Sequence, residues 1–143
     1  MSREEIIVYV LTGLAALVVV LTRLRLGRGE GGAGRIHVPQ TLLNVHTAAG
    51  VLALVGWLVF LLVGSSLSDN TEGIIGIVAL ALWWVVVVAG LLILVRWLPS
   101  RGRHAADGRE DTWSQGPGLS VLAHVGMLAG VGVFTWAYVL SKV

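Results

Sequence analysis

Four long apolar runs constrain this 143-residue chain more than any other feature. They are Ile6–Thr22, Leu42–Gly64, Ile74–Leu98 and Leu119–Leu140. A helix of about 20 residues crosses a hydrocarbon core about 30 Å thick. The runs are too long and too uniformly apolar for barrel strands, so each predicts a helix. The expected fold is all-α: a four-transmembrane-helix bundle forming a single integral-membrane domain over residues 1–143. Composition agrees, with 56% hydrophobic and 13% charged residues. Soluble domains hold about 45–50% and about 25%. An ordinary soluble enzyme, a disordered chain and a coiled coil are thereby excluded. The chain has no cysteine, which removes a disulfide framework, a thiolate metal site and a cysteine nucleophile.

Arginine sets the expected topology. The connection after the first run carries Arg23, Arg25, Arg28 and Arg35, and the one after the third carries Arg96, Arg101, Arg103 and Arg109. The short link Ser65–Gly73 holds Asp69 and Glu72 and no base. The positive-inside rule then places both long connections in the cytoplasm and both termini outside a plasma (inner) membrane. Arg3, Glu4 and Glu5 precede the first run, and no A-x-A site follows it. It is therefore expected to stay as a membrane helix rather than be cleaved as a signal peptide. The Gly- and Arg-rich stretches Gly27–Arg35 and Ser100–Gly118 read as solvated connectors lying on anionic lipid. With a net charge of only +2, the basic loops are explained by a membrane, and no nucleic-acid partner is expected.

The two halves of the chain align at one offset. Arg23 matches Arg101, Arg25 matches Arg103, Pro39 matches Pro117 and His46 matches His124. The spacing Pro-x6-His recurs in Pro39-Gln-Thr-Leu-Leu-Asn-Val-His46 and Pro117-Gly-Leu-Ser-Val-Leu-Ala-His124. Proline suits a first helical turn, where a missing amide proton costs nothing. Each histidine then lies about 10 Å into its helix. The reading is two parallel-repeat helix hairpins, related by a pseudo-two-fold axis along the membrane normal. Both imidazoles come to one level in the cytoplasmic third of the bilayer.

An ionisable side chain at that depth is costly and usually functional or paired. No Asp, Glu or Lys lies deep in any run, which weakens ion-pump and proton-relay readings. Two imidazoles facing across a bundle match the axial ligation of a b-type haem. On the His46 face lie Ala49, Gly50 and Ala53, small enough to admit a flat macrocycle, with Trp57 beyond. Around His124, Ser120, Val121, Met127, Leu128 and Val131 offer packing. Thr47 and Ser120 are candidate partners for the second ring nitrogens. Arg35, Arg101 and Arg103 lie within loop reach of haem propionates, near the positive ends of two helix dipoles; topology alone explains them equally well. His37 and His104 find Gln115 and Leu26 at the offset positions. They read as loop residues, with a quinone pocket or proton transfer at the interface as a lesser reading of His37. The competing reading of His46 and His124 is a buried, hydrogen-bonded structural role. Two histidines without carboxylate or cysteine are thin for zinc or copper. Gly126 and Gly130 form a G-x-x-x-G that suits close helix packing. Of the neighbours Trp83 and Trp84, about 100° apart on a helix, at most one faces the bundle axis.

The residues Val45-His46-Thr47-Ala48-Ala49-Gly50 and Leu122-Ala123-His124-Val125-Gly126 give the chain its resemblance to the small four-helix membrane cytochromes b, which hold haem between histidines on two helices. The resemblance is architectural and covers roughly residues 6–140. It implies one haem b, with His46 and His124 as axial ligands. With no histidine in the outer half of any run, the chain departs from the two-haem pattern. The function implied is an electron-transfer or anchor subunit, passing electrons between a cytoplasm-facing redox partner and membrane quinone, with catalysis on other subunits. The alternatives are a haem-free accessory subunit of a membrane complex, whose histidines bond helices together, and, ranked below it, a small transporter.

Overall fold

The computed structural model describes residues 1–27, 39–97 and 117–143. Every regular element among them is helical: α1 (Arg3–Gly27), α2 (Gln40–Val63), α3 (Asp69–Trp97) and α4 (Pro117–Val139), with one 3-10 turn, Gly64–Ser66, between α2 and α3.

Local chemistry sets the ends. Ser2 and Glu5 close a capping box on α1: the Glu5 amide donates to Ser2 Oγ at 3.0 Å, and the Ser2 amide donates to Glu5 Oε2 at 2.6 Å. Pro39 caps α2, and its carbonyl accepts from the Leu42 amide at 2.9 Å. Asp69 and Glu72 occupy the first turn of α3, where the dipole favours acid. Pro117 opens α4, so both prolines of the repeated spacing stand at helix starts. The far end of α4 closes in a Schellman motif. The Lys142 amide donates to the Ala137 carbonyl at 2.8 Å and the Ser141 amide to that of Tyr138 at 3.0 Å, with Ser141 at φ 48°.

Each helix packs against its chain neighbours, and α1 closes the ring against α4. Helices α2 and α4 stand on the diagonal, with no backbone approach to each other among the described residues. They run in the same direction, since His46 meets His124 at one end and Phe60 meets Tyr138 at the other. The tightest pair is α2 with α3. Lipid tails are as apolar as leucine, so close helix contact needs small residues. A Cβ on Gly56 would lie 3.3 Å from the Ala79 Cβ, and one on Gly50 would lie 3.8 Å from Val86 Cγ2.

Away from the histidines the core is aromatic. Trp57 stacks on Phe134 at 5.0 Å, and Trp83 meets the same ring at 5.9 Å. Phe60 joins Trp57 to Tyr138 at 5.1 and 5.5 Å. Polar tips of these and neighbouring rings tie the helices together. Trp57 Nε1 donates to Thr12 Oγ1 at 3.2 Å, Trp84 Nε1 to Thr135 Oγ1 at 3.1 Å, Tyr138 Oη to the Gly73 carbonyl at 2.8 Å and Tyr9 Oη to that of Leu61 at 3.1 Å. Trp83 is fully buried, whereas Trp84 lies towards the outside.

The outward faces of all four helices carry large apolar side chains, among them Leu14, Leu52, Ile77 and Leu122. Three stretches among the described residues, Thr41–Ser66, Asp69–Val95 and Val121–Val139, are long and apolar enough to cross a membrane. An apolar exterior over such helices suits contact with membrane lipid.

Candidate functional site

Helices α2 and α4 each place one imidazole near the end of the bundle where both begin. His46 is seven residues from Pro39 and His124 seven from Pro117, so equal spacing on parallel helices brings them level. Diagonal helices leave the bundle axis between them, and the rings meet across it. Their centroids are 6.5 Å apart and their planes are inclined at 41°. Both side chains are half-buried.

The separation has chemical meaning. An imidazole nitrogen binds a metal at about 2 Å and lies roughly 1.1 Å from its own ring centre, so two rings in line across one metal have centres about 6 Å apart. Aromatic pairs in direct contact have centres about 4.5–7 Å apart, so the separation alone does not distinguish ring contact from a shared metal.

Helix α3 supplies the third side of the site. A Cβ built on Gly90 would lie 2.9 Å from His124 Cδ2, 3.2 Å from His46 Nε2 and 3.4 Å from His124 Nε2. Both Nε2 atoms therefore face one space, and the backbone of α3 borders it. Gly90 was not among the residues singled out from sequence. Its signal was an isolated glycine inside an otherwise bulky apolar helix, which marks close approach of another group.

Haem can be tested against this geometry. Imidazole nitrogens suit iron as donors. The space is narrower than the donors suggest. The Gly90 Cβ position is nearly equidistant from the two Nε2 atoms, so α3 lies in the plane that a macrocycle between them would occupy. A macrocycle fits only with α3 drawn back from the pair.

The other expected site residues are placed as follows. Ala49, Gly50 and Ala53 lie on the His46 face and are buried. Gly50 faces Val86 of α3, so its small size serves helix contact. Val131 is fully buried, Met127 half-buried and Leu128 partly exposed. A Cβ on Gly126 or Gly130 would meet nothing within 4 Å among the described residues. The close helix contacts run instead through Gly50, Gly56 and Gly76. Arg35, Arg101, Arg103, His37 and His104 lie outside the described residues. Trp83 Nε1, two turns along α3 from Gly90, is buried without a hydrogen-bond acceptor among the described residues.

No known protein family, curated protein or solved structure matches the chain. The site's own chemistry therefore carries the functional reading.

Proposed function

We propose that the chain is a small b-type cytochrome of the cell's inner membrane, which would hold one haem between His46 and His124 with α3 drawn back from the pair. The observation that carries this is the meeting of two level imidazoles from diagonal helices, with ring centres 6.5 Å apart. In this reading α1 is the fourth span, the two hairpins form a parallel repeat, and both termini lie outside. The haem supplies one-electron chemistry. The protein's own residues do the rest. His46 and His124 would hold the iron, and the apolar side chains of Ala49, Val131 and Met127 would keep water from it. The arginines Arg35, Arg101 and Arg103, at the same end by sequence, balance the propionate charge.

The site lies near one end of the bundle. The reading is accordingly an electron-transfer subunit that serves a cytoplasm-facing redox partner and membrane quinone at one side of the bilayer. Catalysis resides on other subunits. The test is the visible spectrum of protein purified in detergent after expression with haem supplied. The wild type should show reduced b-type bands, and His46→Ala and His124→Ala should each lose the bis-histidine form. A stable, colourless wild type would instead support a haem-free accessory subunit, with the histidines bonding helices together.

A further inference from the structure

We infer that the outward groove between α2 and α3, at the end of the bundle where α2 begins, is a site for one anionic phospholipid: its acyl chain lies along α3 and its phosphate meets the start of α2. The inference goes beyond the cytochrome reading and needs no haem.

The groove holds about 400 Å³. Leu42 and Val45, in the first two turns of α2, form one wall. Ala81, Val85, Val88 and Leu92 form the other. They recur every three or four residues, so they share one face of α3. Ala81 and Leu92 are eleven residues apart, about 16 Å along a helix. That is close to half of a hydrocarbon core about 30 Å thick, the depth that one leaflet's chains fill. The lining side chains are apolar but for the Trp84 indole N–H, which already donates to Thr135 Oγ1 at 3.1 Å. The groove therefore asks for hydrocarbon.

Charge selects which lipid. Helix α2 starts with no acidic residue in its first turn and no side-chain cap. The amides of its first residues, Gln40 and Thr41, have no acceptor within the helix, and the dipole there favours an anion. The sequence adds Arg35 before α2, Arg96 four residues past Leu92, and then Arg101 and Arg103. No Asp or Glu occurs in residues 31–68 or 73–106; Asp69 and Glu72 stand at the opposite end of α3. Basic charge beside an apolar cleft between membrane helices is the arrangement that holds an anionic headgroup. A second copy of the chain, seated in parallel, would bring its own arginines to the same end and add like charge.

Trp84 lines the groove and is 39% exposed, so it reports the occupant. Leu128 of α4 is equally exposed and lies at a comparable depth: it is four residues from His124, and Trp84 is six from Gly90, which meets His124. Adding Leu128→Trp to Trp84→Phe moves the reporter off the groove. The full-length proteins are placed in phosphatidylcholine nanodiscs with rising fractions of a lipid brominated on its acyl chains, either phosphatidylglycerol or phosphatidylcholine. Quenching at either position is the signal in excess of Trp84→Phe alone. Phosphatidylglycerol should half-quench Trp84 at about a fivefold lower fraction than phosphatidylcholine. The reporter at position 128 should show no such preference, and changing Arg96, Arg101 and Arg103 together to Gln should remove it at Trp84. Equal fractions for the two lipids at Trp84, the same preference at position 128, or a preference that survives loss of the arginines overturns the inference. Shielding of Trp84 from both lipids also overturns it and gives the groove to a second copy of the chain. Far-ultraviolet circular dichroism checks that each variant stays helical. If the arginine variant does not fold, wild type in about 1 M salt, where the Debye length is about 3 Å, takes its place and must lose the preference.

Discussion

Trp57 and Trp83 allow one polar interaction to be isolated from packing. Both indoles are fully buried in the same aromatic cluster, and both pack on Phe134. Trp57 Nε1 donates to Thr12 Oγ1 at 3.2 Å, tying α2 to α1. Trp83 Nε1 has no acceptor among the described residues. Tryptophan to phenylalanine removes the same atoms at either position, so the packing loss largely cancels in the comparison. At Trp57 the change also deletes an interhelical hydrogen bond, worth about 0.6–1.7 kcal/mol in a membrane protein. At Trp83 it deletes a buried unpaired donor, whose desolvation costs about 1–3 kcal/mol. Trp57→Phe should therefore destabilise by about 2–5 kcal/mol more than Trp83→Phe. The assay is unfolding in mixed micelles by increasing sodium dodecyl sulfate, followed by far-ultraviolet circular dichroism. A double-mutant cycle with Thr12→Val should give a coupling of about 1 kcal/mol with Trp57→Phe and none with Trp83→Phe. Equal losses for the two variants, or a larger one at Trp83, would refute the reasoning.

Three further outcomes follow from the same contacts. Gly76→Ala drives a methyl group into the Tyr138 ring and against Phe60; it should cost about 1–3 kcal/mol through overpacking, read in the same micelle titration, and shortening Tyr138 to leucine should recover part of the loss. Ser141 sits at φ 48° in the cap of α4, so Ser141→Gly should stabilise that end by about 0.5–1 kcal/mol, seen as slower hydrogen exchange at the Ser141 and Lys142 amides. If the proposed haem is bound, acid should release it, because protons compete with iron for its ligands; the low-spin bands would then fade as pH falls and return on neutralisation.

The helices were legible because their apolar content exceeds anything a soluble fold needs. Their ends were less so. The run beginning at Ile74 starts in the structure at Asp69, because acidic residues in a first turn are favourable although they are not apolar. The run beginning at Ile6 starts at Arg3. The Ser2-x-x-Glu5 pattern that caps it is visible in the sequence, but a hydropathy reading passes over it. The histidine pair could be anticipated, since equal Pro-to-His spacing on parallel helices fixes a common level. Gly90 could not be paired with the histidines in advance. Which face of α3 turns to the axis depends on the relative rotation of three helices, and uniformly apolar helices leave no polar stripe to reveal it. The same uniformity hid the use of Gly50, whose neighbour Val86 is set by the approach of α3 and not by anything local to α2.

The most direct measurement is the haem content and ligation of the purified wild-type chain, taken from its oxidised and dithionite-reduced spectra. The account predicts one haem per chain, low-spin in both states and six-coordinate through two imidazoles. Protein that stays folded in the presence of excess haem yet shows no absorbance beyond its tryptophans, or carries haem that survives loss of both His46 and His124, would contradict it.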